Sequence, residues 1–353
     1  KDEEIRYLLL TIPKTSLYRM NLSSFNYNLP KELIAQAPSK PRDSCNLMII
    51  KGNKILHKKF YNIIDLLNPG DILVLNKSKV IPARLTGKKT TGTKAEFIIT
   101  NKIKPNLYEC SIKSKRLKIG NKFIFKNNLK AKLISENTPT TFLVKFNNPN
   151  LNNLLKKIGE LPTPPYIKQK VKPQDYQTIY ASAPGSFAAP TAGLHFTKNL
   201  IKKIKDKGVK LAFITLHIDI STFLPINEQD ITKHKTGKEC FHITKTAADT
   251  INSCKTGNKI IAVGTTTLKA LESSCQRGKI ISQKGCSELF IYPSYKFKSK
   301  VSALITNFHL PKSSLLLLTS AFAGKNRLLK AYNQAVKKNY KFYSLGDGMI
   351  IFR

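Results

Sequence analysis

Apolar residues follow two spacings along the chain, and their alternation predicts an α/β fold. Between Thr197 and Gly208 they fall at helical spacing, with Thr197 able to cap the helix and Gly208 able to end it. The continuous apolar run at 211–216 predicts a buried strand that ends at His217. Another strand at 259–263 leads into a further helix. This succession indicates a mixed sheet with flanking helices.

Further apolar runs predict more strands for the same fold. Residues 46–50 and 54–60 predict a β-hairpin, because Gly and Asn lie between them. The runs at 72–75, 289–292 and 340–352 each predict one more strand. The α/β pattern therefore occupies two stretches of the chain that are far apart in sequence.

The pattern between these two stretches is of a different kind. Short β-type runs alternate with turns rich in Gly, Asn and Lys, at 95–100, 108–112, 122–125 and 141–146. Short strands at close and even spacing are typical of a small antiparallel barrel. A Pro-rich segment at 161–167 then predicts a linker that returns to the main fold.

The charge of the chain points to a polyanionic partner. Its 353 residues, 41% of them hydrophobic, suffice for a sizeable core and two domains. Lys and Arg number 60 against 21 Asp and Glu, which gives a formal net charge of +39. Such an excess favours nucleic acid, because each neutralised phosphate releases condensed counterions. Compositional drift towards Lys explains the same excess, and both explanations stay open.

The cysteines and the hydropathy indicate an intracellular setting. No apolar run approaches the ~18 residues that a membrane-spanning helix requires. The acidic residues near the start of the chain argue against a signal peptide, so we expect a cytoplasmic protein. The cysteines show no C-x-x-C pairing and no zinc spacing, so we expect reduced thiols and no metal site. They are Cys45, Cys110, Cys240, Cys254, Cys275 and Cys286.

Two histidines lie near the predicted strand at 211–216. His195 follows a run of small residues in which Pro190 and Gly193 predict a turn where backbone can approach a ligand closely. His217 ends the strand, and open α/β sheets bind ligands beyond the carboxyl ends of their strands. A lone histidine in a turn is more often structural than catalytic, so both uses stay open.

Two later segments also carry groups that suit a ligand site. Gly264, Thr265 and Thr266 join a strand to a helix, where free N–H groups suit a carboxylate or a phosphate, although ordinary helix capping explains them equally well. Asn307 and His309 lie two residues apart, so on extended backbone they face the same side. An amide there could orient a substrate while the imidazole handles a proton, and a structural use of both competes with this interpretation.

These segments belong to a series of motifs that resembles one family throughout. From Met20 onward the chain is similar to the S-adenosylmethionine:tRNA ribosyltransferase-isomerases of queuosine synthesis. The motifs that carry the resemblance are PTAGLHF at 190–196, TLH at 215–217 with Thr222 and Phe223, VGTT at 263–266, LES at 271–273, IYP at 291–293, TNFHLP at 306–311, SAFAG at 320–324 and GD-x-M at 346–349.

The resemblance implies a fold and a reaction. Residues 20–77 and 161–353 are expected to form a discontinuous α/β catalytic domain, with an inserted β-barrel at 78–160 and residues 1–19 outside the fold. The implied enzyme transfers and isomerises the ribosyl group of S-adenosylmethionine onto 7-aminomethyl-7-deazaguanine at the tRNA wobble position. The products are epoxyqueuosine, adenine and methionine. S-adenosylmethionine is a consumed co-substrate, no cofactor is needed, and we expect a monomer.

The resemblance also implies a set of site residues. Proton transfer is assigned to His195, His217 and His309, in no resolved order, and the catalytic set includes Asp347. Asp347 or Glu239 would hold a cation, and Arg84 would contact the RNA or the donor. The complete substrate-binding set is Arg84, Pro190, Thr191, Ala192, Gly193, Thr222, Phe223, Glu239, Gly264, Thr265, Thr266 and Asn307.

The chain departs from the family pattern at three places. The usual Gly-Ala-Gly before Thr222 is Asp219-Ile220-Ser221, the second histidine of an H-x-x-H-x-E pattern is Gly237, and an arginine is Lys269. An alternative function is therefore a basic tRNA-binding protein on the same scaffold without efficient catalysis. A methyltransferase that uses the same donor is a weaker alternative, because a glycine-rich donor loop of the usual kind is missing after the first strand.

Overall fold

The computed structural model describes residues 20–138, 140–164, 166–169, 171–219, 226, 228–234 and 236–353. Thr222, Phe223 and the segment 1–19 therefore lie outside the described residues. The strands are β1 Asn46–Lys51, β2 Lys54–Lys59, β3 Ile72–Asn76, β4 Ser78–Val80, β5 Arg84–Lys89, β6 Lys94–Lys104, β7 Leu107–Ser114, β8 Lys122–Phe125, β9 Lys130–Thr138, β10 Thr141–Phe146, β11 Ala183–Ser186, β12 Lys210–His217, β13 Glu239–Ile243, β14 Ile260–Val263, β15 Cys275–Gln276, β16 Lys279–Ile280, β17 Gln283–Ser287, β18 Val301–Asn307 and β19 Gly348–Phe352. The helices are α1 Leu151–Ile158, α2 Lys198–Asp206, α3 Lys245–Asn252, α4 Thr265–Ser274, α5 Ser314–Ala323 and α6 Lys325–Lys337.

A mixed sheet forms the centre of the main domain. Its strand order over the described residues is β17-β13-β12-β3-β14-β18-β19-β1-β2. The neighbours β12, β3, β14 and β18 run parallel, and β3 and β14 are buried along their whole length. Parallel strands covered on both faces are continuous apolar runs, which explains why the sequence predicted them. The predicted hairpin is confirmed as β1 and β2.

The inserted unit is a closed antiparallel barrel with the strand order β10-β7-β6-β5-β8-β9. Aromatic side chains fill its interior, and the ring of Phe97 packs edge-on against Phe123 at 4.8 Å and Phe125 at 5.1 Å between centroids. Leu151 and Leu155 of α1 bury their side chains in the same cluster. The barrel is therefore a packed core, and the predicted fold class is confirmed.

Arg84 and Glu160 hold the entry and exit of the barrel together. Their backbones exchange two hydrogen bonds, and Arg84 Nη2 lies 3.0 Å from Glu160 Oε2. Strand β4, which falls within the predicted barrel range 78–160, pairs with β11. Arg84 thus joins the two units, while its Nε is buried with no hydrogen-bond partner among the described residues.

Two predicted strands differ from the structure. Residues 289–292 lie in irregular backbone, because the pairing of β17 with β13 ends at Ser287 and Pro293 follows. Residues 340–347 form mainly turns, so that the last strand begins only at Gly348. None of the helices in the described residues is both long and apolar enough to cross a membrane.

The expectation of reduced thiols is wrong for one pair of cysteines. Cys240 of β13 and Cys286 of β17 are joined by a disulfide. The antiparallel register places the two residues directly opposite each other on neighbouring strands. The sequence could not show this, because the two cysteines are separated by 46 positions and become neighbours only through sheet pairing. The other cysteines in the described residues are free.

Candidate active site

A cleft opens where several of the predicted site segments meet. It lies between the 188–192 turn, the start of α4, the end of β18 and the turn before β19. Its volume of about 50 Å³ suits one end of a ligand, such as a carboxylate, rather than a whole nucleoside. The residues that line it are Ala188, Ala189, Pro190, Thr191, Ala192, Ile218, Gly264, Thr265, Thr266, Thr306, Asn307, His309, Leu315, Tyr343 and Ser344.

The start of α4 presents unpaired polar groups to this cleft. Gly264 precedes the helix with φ +93°, and no side chain caps its first turn. Thr267 turns its hydroxyl back to Val263 O at 2.6 Å, whereas Thr266 Oγ1 is buried with no hydrogen-bond partner in the described structure. The first N–H groups of a helix lack partners within the helix and carry its positive dipole end. This wall of the cleft therefore favours an anionic group such as a carboxylate.

Asn307 and His309 form the opposite wall, at the end of β18. Asn307 Nδ2 donates to Tyr343 O at 2.9 Å, and its Oδ1 is buried without a hydrogen-bond partner among the described residues. His309 Nε2 lies 2.9 Å from Thr306 Oγ1, which fixes the orientation of the ring. Burial lowers the pKa of His309 to about 3. The imidazole is therefore neutral at physiological pH. The Asn307 amide oxygen, which lies near the His195 ring, can accept a hydrogen bond from a ligand.

His195 lies behind the cleft instead of lining it. Its Nδ1 is 3.2 Å from Cys45 Sγ, its ring packs against Phe60 at 4.8 Å, and its Nε2 has no hydrogen-bond partner within the described structure. Burial lowers the pKa of His195 to about 4, and the nearby Asn307 side chain opposes that shift. His195 is thus a neutral group adjacent to the cleft residue Asn307.

His217 also stays out of the cleft. Side chains alternate along a strand, and it is the next residue, Ile218, that lines the cleft. The half-buried ring lies over Gly185, where a Cβ atom would come within 3.0 Å of the imidazole. Burial lowers its pKa. The ring of His217 therefore packs against β11, and its Nδ1 is buried with no hydrogen-bond partner among the described residues.

Asp347 holds backbone in place. Its Oδ1 accepts from Asn46 N at 2.7 Å, and its Oδ2 accepts from Lys341 N at 2.7 Å and from Asn46 Nδ2 at 3.1 Å. Burial raises the pKa of this carboxyl group, although these hydrogen bonds oppose the shift. The carboxylate is therefore occupied in joining the start of β1 to the turn before β19.

Glu239 and Gly193 likewise lie outside the cleft lining. Glu239 Oε2 accepts from the Lys269 ammonium at 2.9 Å, so the cation that Glu239 binds is supplied by α4. A Cβ atom at Gly193 would lie 2.1 Å from Tyr180 Oη. Gly193 is therefore required for close packing beneath the 190–193 turn.

A buried carboxylate braces the other end of α4. Glu272, of the LES motif, accepts from Lys298 N at 2.8 Å, from Ser299 N at 3.1 Å and from Tyr295 Oη at 3.1 Å, and it also bonds Ser299 Oγ. These contacts fix the segment that leads directly into β18. Glu272 thus holds the segment before β18 in place without lining the cleft itself.

The structure brings together about half of the predicted site residues. In the cleft it gathers Pro190, Thr191, Ala192, Gly264, Thr265, Thr266, Asn307 and His309. Outside its lining it leaves Arg84, Gly193, His195, His217, Glu239 and Asp347.

Tyr343 is the most informative residue that the sequence did not predict. It has φ +74°, an unfavourable conformation for a side chain of this size. Two hydrogen bonds hold it, from Tyr343 N to Phe308 O and from Asn307 Nδ2 to Tyr343 O, and its ring lies 4.0 Å from that of Tyr166. Backbone strain of this kind concentrates at functional sites. Only the neighbouring GD-x-M motif at 346–349 pointed to this part of the chain.

The described residues contain no group of three or more His, Cys, Asp or Glu side chains placed to hold a metal ion. The polar groups at the cleft are amide, hydroxyl, imidazole and backbone N–H. Such groups suit a ligand that contains both a carboxylate and an ammonium group.

The buried histidines predict a loss of stability in acid. The folded-state pKa values of about 3 for His309 and about 4 for His195 lie below the ordinary 6.5, so the unfolded chain takes up protons first as the pH falls. Each neutral histidine contributes fully to the free energy of unfolding above about pH 6.5, and this contribution is lost as the pH falls from there to pH 3 to 4. At pH 5 the loss is about 2 kcal/mol per histidine. Urea unfolding should show that the free energy of unfolding falls between pH 7 and pH 5 by about 2 kcal/mol less in His309→Gln than in the unmodified protein. The same substitution at the partly exposed His242, whose pKa is lowered less, should reduce the acid-induced loss of stability much less. An acid-induced loss in His309→Gln equal to that of the unmodified protein would contradict the assignment.

The sequence matches known proteins along nearly its whole length. The family described as queuosine biosynthesis protein matches residues 22–351. The S-adenosylmethionine:tRNA ribosyltransferase-isomerase of Sulfurihydrogenibium sp. is 48% identical over 340 residues, which cover 94% of this chain and 100% of that protein. The protein of the same name from Thermotoga petrophila is 44% identical over 336 residues, with the same two coverages.

The fold agrees with a solved structure. The crystal structure of S-adenosylmethionine tRNA ribosyltransferase from Thermotoga maritima is 36% identical, covers 94% of this chain and 100% of that one, and gives a TM-score of 0.55. The family resemblance carried by the motifs is therefore confirmed, and this chain belongs to the S-adenosylmethionine:tRNA ribosyltransferase-isomerase family of queuosine biosynthesis enzymes.

Proposed function

We propose that this enzyme transfers the ribosyl group of S-adenosylmethionine to 7-aminomethyl-7-deazaguanine at the wobble position of tRNA and isomerises it to epoxyqueuosine. Adenine and methionine leave as the other products. The names of the similar proteins support the donor and the tRNA, and the formal charge of +39 suits a polyanionic substrate. The cleft supports the identity of the group that is bound.

The observation that carries the proposal is the complementary polarity of the two cleft walls. The first N–H groups of α4 and Thr266 Oγ1 can donate to a carboxylate, while Asn307 Oδ1 on the facing wall can accept from an ammonium group. The methionine end of S-adenosylmethionine carries both of these groups on one carbon. Its binding would satisfy the two side-chain oxygens that lack hydrogen bonds.

The reaction requires proton transfer near the sulfonium. The positive sulfur acidifies the adjacent ribose carbon, so a base must remove a proton there, and an acid must assist the departure of adenine. His309 is the histidine that lines the cleft, and its neutral imidazole has a nitrogen lone pair that can accept a proton. Burial disfavours the resulting imidazolium, so the support for this role is the position of the ring. The contact of His309 with Thr306 Oγ1 fixes the orientation of the ring. We assign the base to His309, with His195 positioned behind Asn307.

Product analysis tests this function directly. Incubation with S-adenosylmethionine and tRNA that carries the deazaguanine should release adenine and methionine in equal amounts. Thr266→Val should raise the KM for the donor about tenfold, because one hydrogen bond to a carboxylate is lost, without changing tRNA affinity. Thr246→Val, at an exposed position of α3, is the matched control. An unchanged KM in Thr266→Val would place the donor elsewhere.

A tRNA-binding protein without catalysis is the second candidate. It is favoured by Gly237 in place of a histidine and by Asp219 in place of a glycine of the family pattern. Tight tRNA binding with no adenine release would establish it. Release of S-adenosylhomocysteine in place of adenine would instead indicate methyl transfer.

A further inference from the structure

Three lysines form a row across the outer surface of the barrel. Lys122 of β8 lies directly opposite Lys132 of β9, and Lys132 lies directly opposite Lys145 of β10. All three are exposed, because the side chains next to them in each strand, such as Phe123 and Phe146, fill the barrel interior. Neighbouring strands are about 4.8 Å apart, so the row spans about 10 Å.

The row runs against the usual pattern of cross-strand pairing. Like charges that face each other on adjacent strands destabilise a sheet, whereas opposite charges stabilise it. The same barrel follows the favourable rule on β6 and β7, where Glu96 faces Lys113, although Lys88 and Lys94 form a further like-charged pair on β5 and β6. Lys122, Lys132 and Lys145 have no ion-pair partner in the described structure. Their repulsion is therefore uncompensated within the described part of the chain.

The lysines line a groove that is large enough for a ligand. Its volume is about 430 Å³, and Lys130 adds a fourth ammonium group. Asn147 and Thr90 supply further polar groups, and no carboxylate lines the groove among the described residues. A concave surface with several cations and no anion creates a positive potential that attracts an anionic ligand. A chain of phosphates matches it in charge and in length.

We propose that this lysine groove binds the sugar-phosphate backbone of the substrate tRNA, away from the base that enters the cleft. The inference rests on the proposed function for the identity of the nucleic acid. Thr90 lies six residues along the chain from Arg84, at the junction with the main domain, so the groove is about 20 Å from that junction. A position so far along the barrel suits the tRNA stem and body rather than the anticodon loop.

The general Lys richness of the chain is the competing explanation, and a matched pair of variants separates the two. Lys122→Gln/Lys132→Gln/Lys145→Gln removes the row, while Lys330→Gln/Lys337→Gln/Lys338→Gln removes three exposed lysines of α6 and its end. Both lower the formal charge by the same three units. Binding of unmodified tRNA, without the donor, is measured between about 50 and 300 mM NaCl. The row variant should bind about tenfold more weakly and lose about 2 to 3 from the slope of log affinity against log salt.

The outcomes separate this inference from the proposed function. Equal weakening in the two variants, or no weakening in either, overturns the groove. A row variant that loses adhesion to anionic phospholipid vesicles while keeping its tRNA affinity also overturns it. Adenine release with a short anticodon hairpin should be unchanged in the row variant, because the hairpin does not reach the groove. If the unmodified protein releases no adenine with any tRNA, the proposed function fails, and the binding measurement still decides the groove.

Discussion

Replacement of His309 by Ala is expected to slow adenine release by about 10²- to 10⁴-fold and to leave tRNA affinity within about twofold. His309 lines the cleft, is held by Thr306 Oγ1 and is kept neutral by burial. Removing a positioned base affects the transition state and not the docking of a large polyanion. Single-turnover kinetics with saturating donor would measure the rate, and filter binding would measure the affinity.

Two variants control this prediction. His242→Ala, on the partly exposed face of β13, should retain the normal rate. Thr306→Val keeps the imidazole but removes its bond to the hydroxyl, so it should slow the reaction less than His309→Ala does. A normal rate in His309→Ala would show that the proton is taken by another group, with His195 next to be tested.

Replacement of Asp347 by Ala is expected to lower the free energy of unfolding by about 3–5 kcal/mol. The substitution removes the acceptor for Asn46 N, Asn46 Nδ2 and Lys341 N together. Donors that stay buried without a partner lose their hydrogen bonds and do not regain water. Urea unfolding at pH 7 would measure the change.

The same variant tests the predicted catalytic role of Asp347. Asp347→Asn keeps one carbonyl oxygen as an acceptor and should lose less stability than Asp347→Ala. If Asp347 acts only by holding backbone, the turnover of each variant per folded molecule should stay near that of the unmodified protein, and only the folded fraction should fall. A stable Asp347→Ala protein with a greatly reduced rate would instead support the catalytic assignment made from the sequence.

The parts of the cleft that the sequence predicted are those with a local cause. A strand that passes through Gly264 into a helix must leave N–H groups unpaired at that point, whatever the rest of the fold does. Asn307 and His309 follow a buried strand, so their position at its end follows from the apolar run alone. The barrel was predictable for the same reason, since its short alternating runs determine which side chains face inward.

The functions of the remaining residues depend on distant partners. The carboxylate of Asp347 resembles a catalytic group in sequence, and only the folded chain shows Asn46, 301 positions away, donating to both of its oxygens. Glu239 was expected to bind a cation, and its partner Lys269 is 30 positions away. The left-handed backbone of Tyr343 leaves no trace in residue type, because tyrosine has no preference for it.

Helix α4 and strand β18 form the two sides of a continuous frame around the cleft. The helix starts at one wall, and Glu272 near its other end accepts hydrogen bonds from the backbone of residues 298 and 299. From there the chain continues along β18 to the opposite wall at Asn307. The two elements that carry the walls are therefore tied to the same interior carboxylate. The spacing between the groups that face a ligand is set when the protein folds, so the cleft selects ligands whose size matches that spacing.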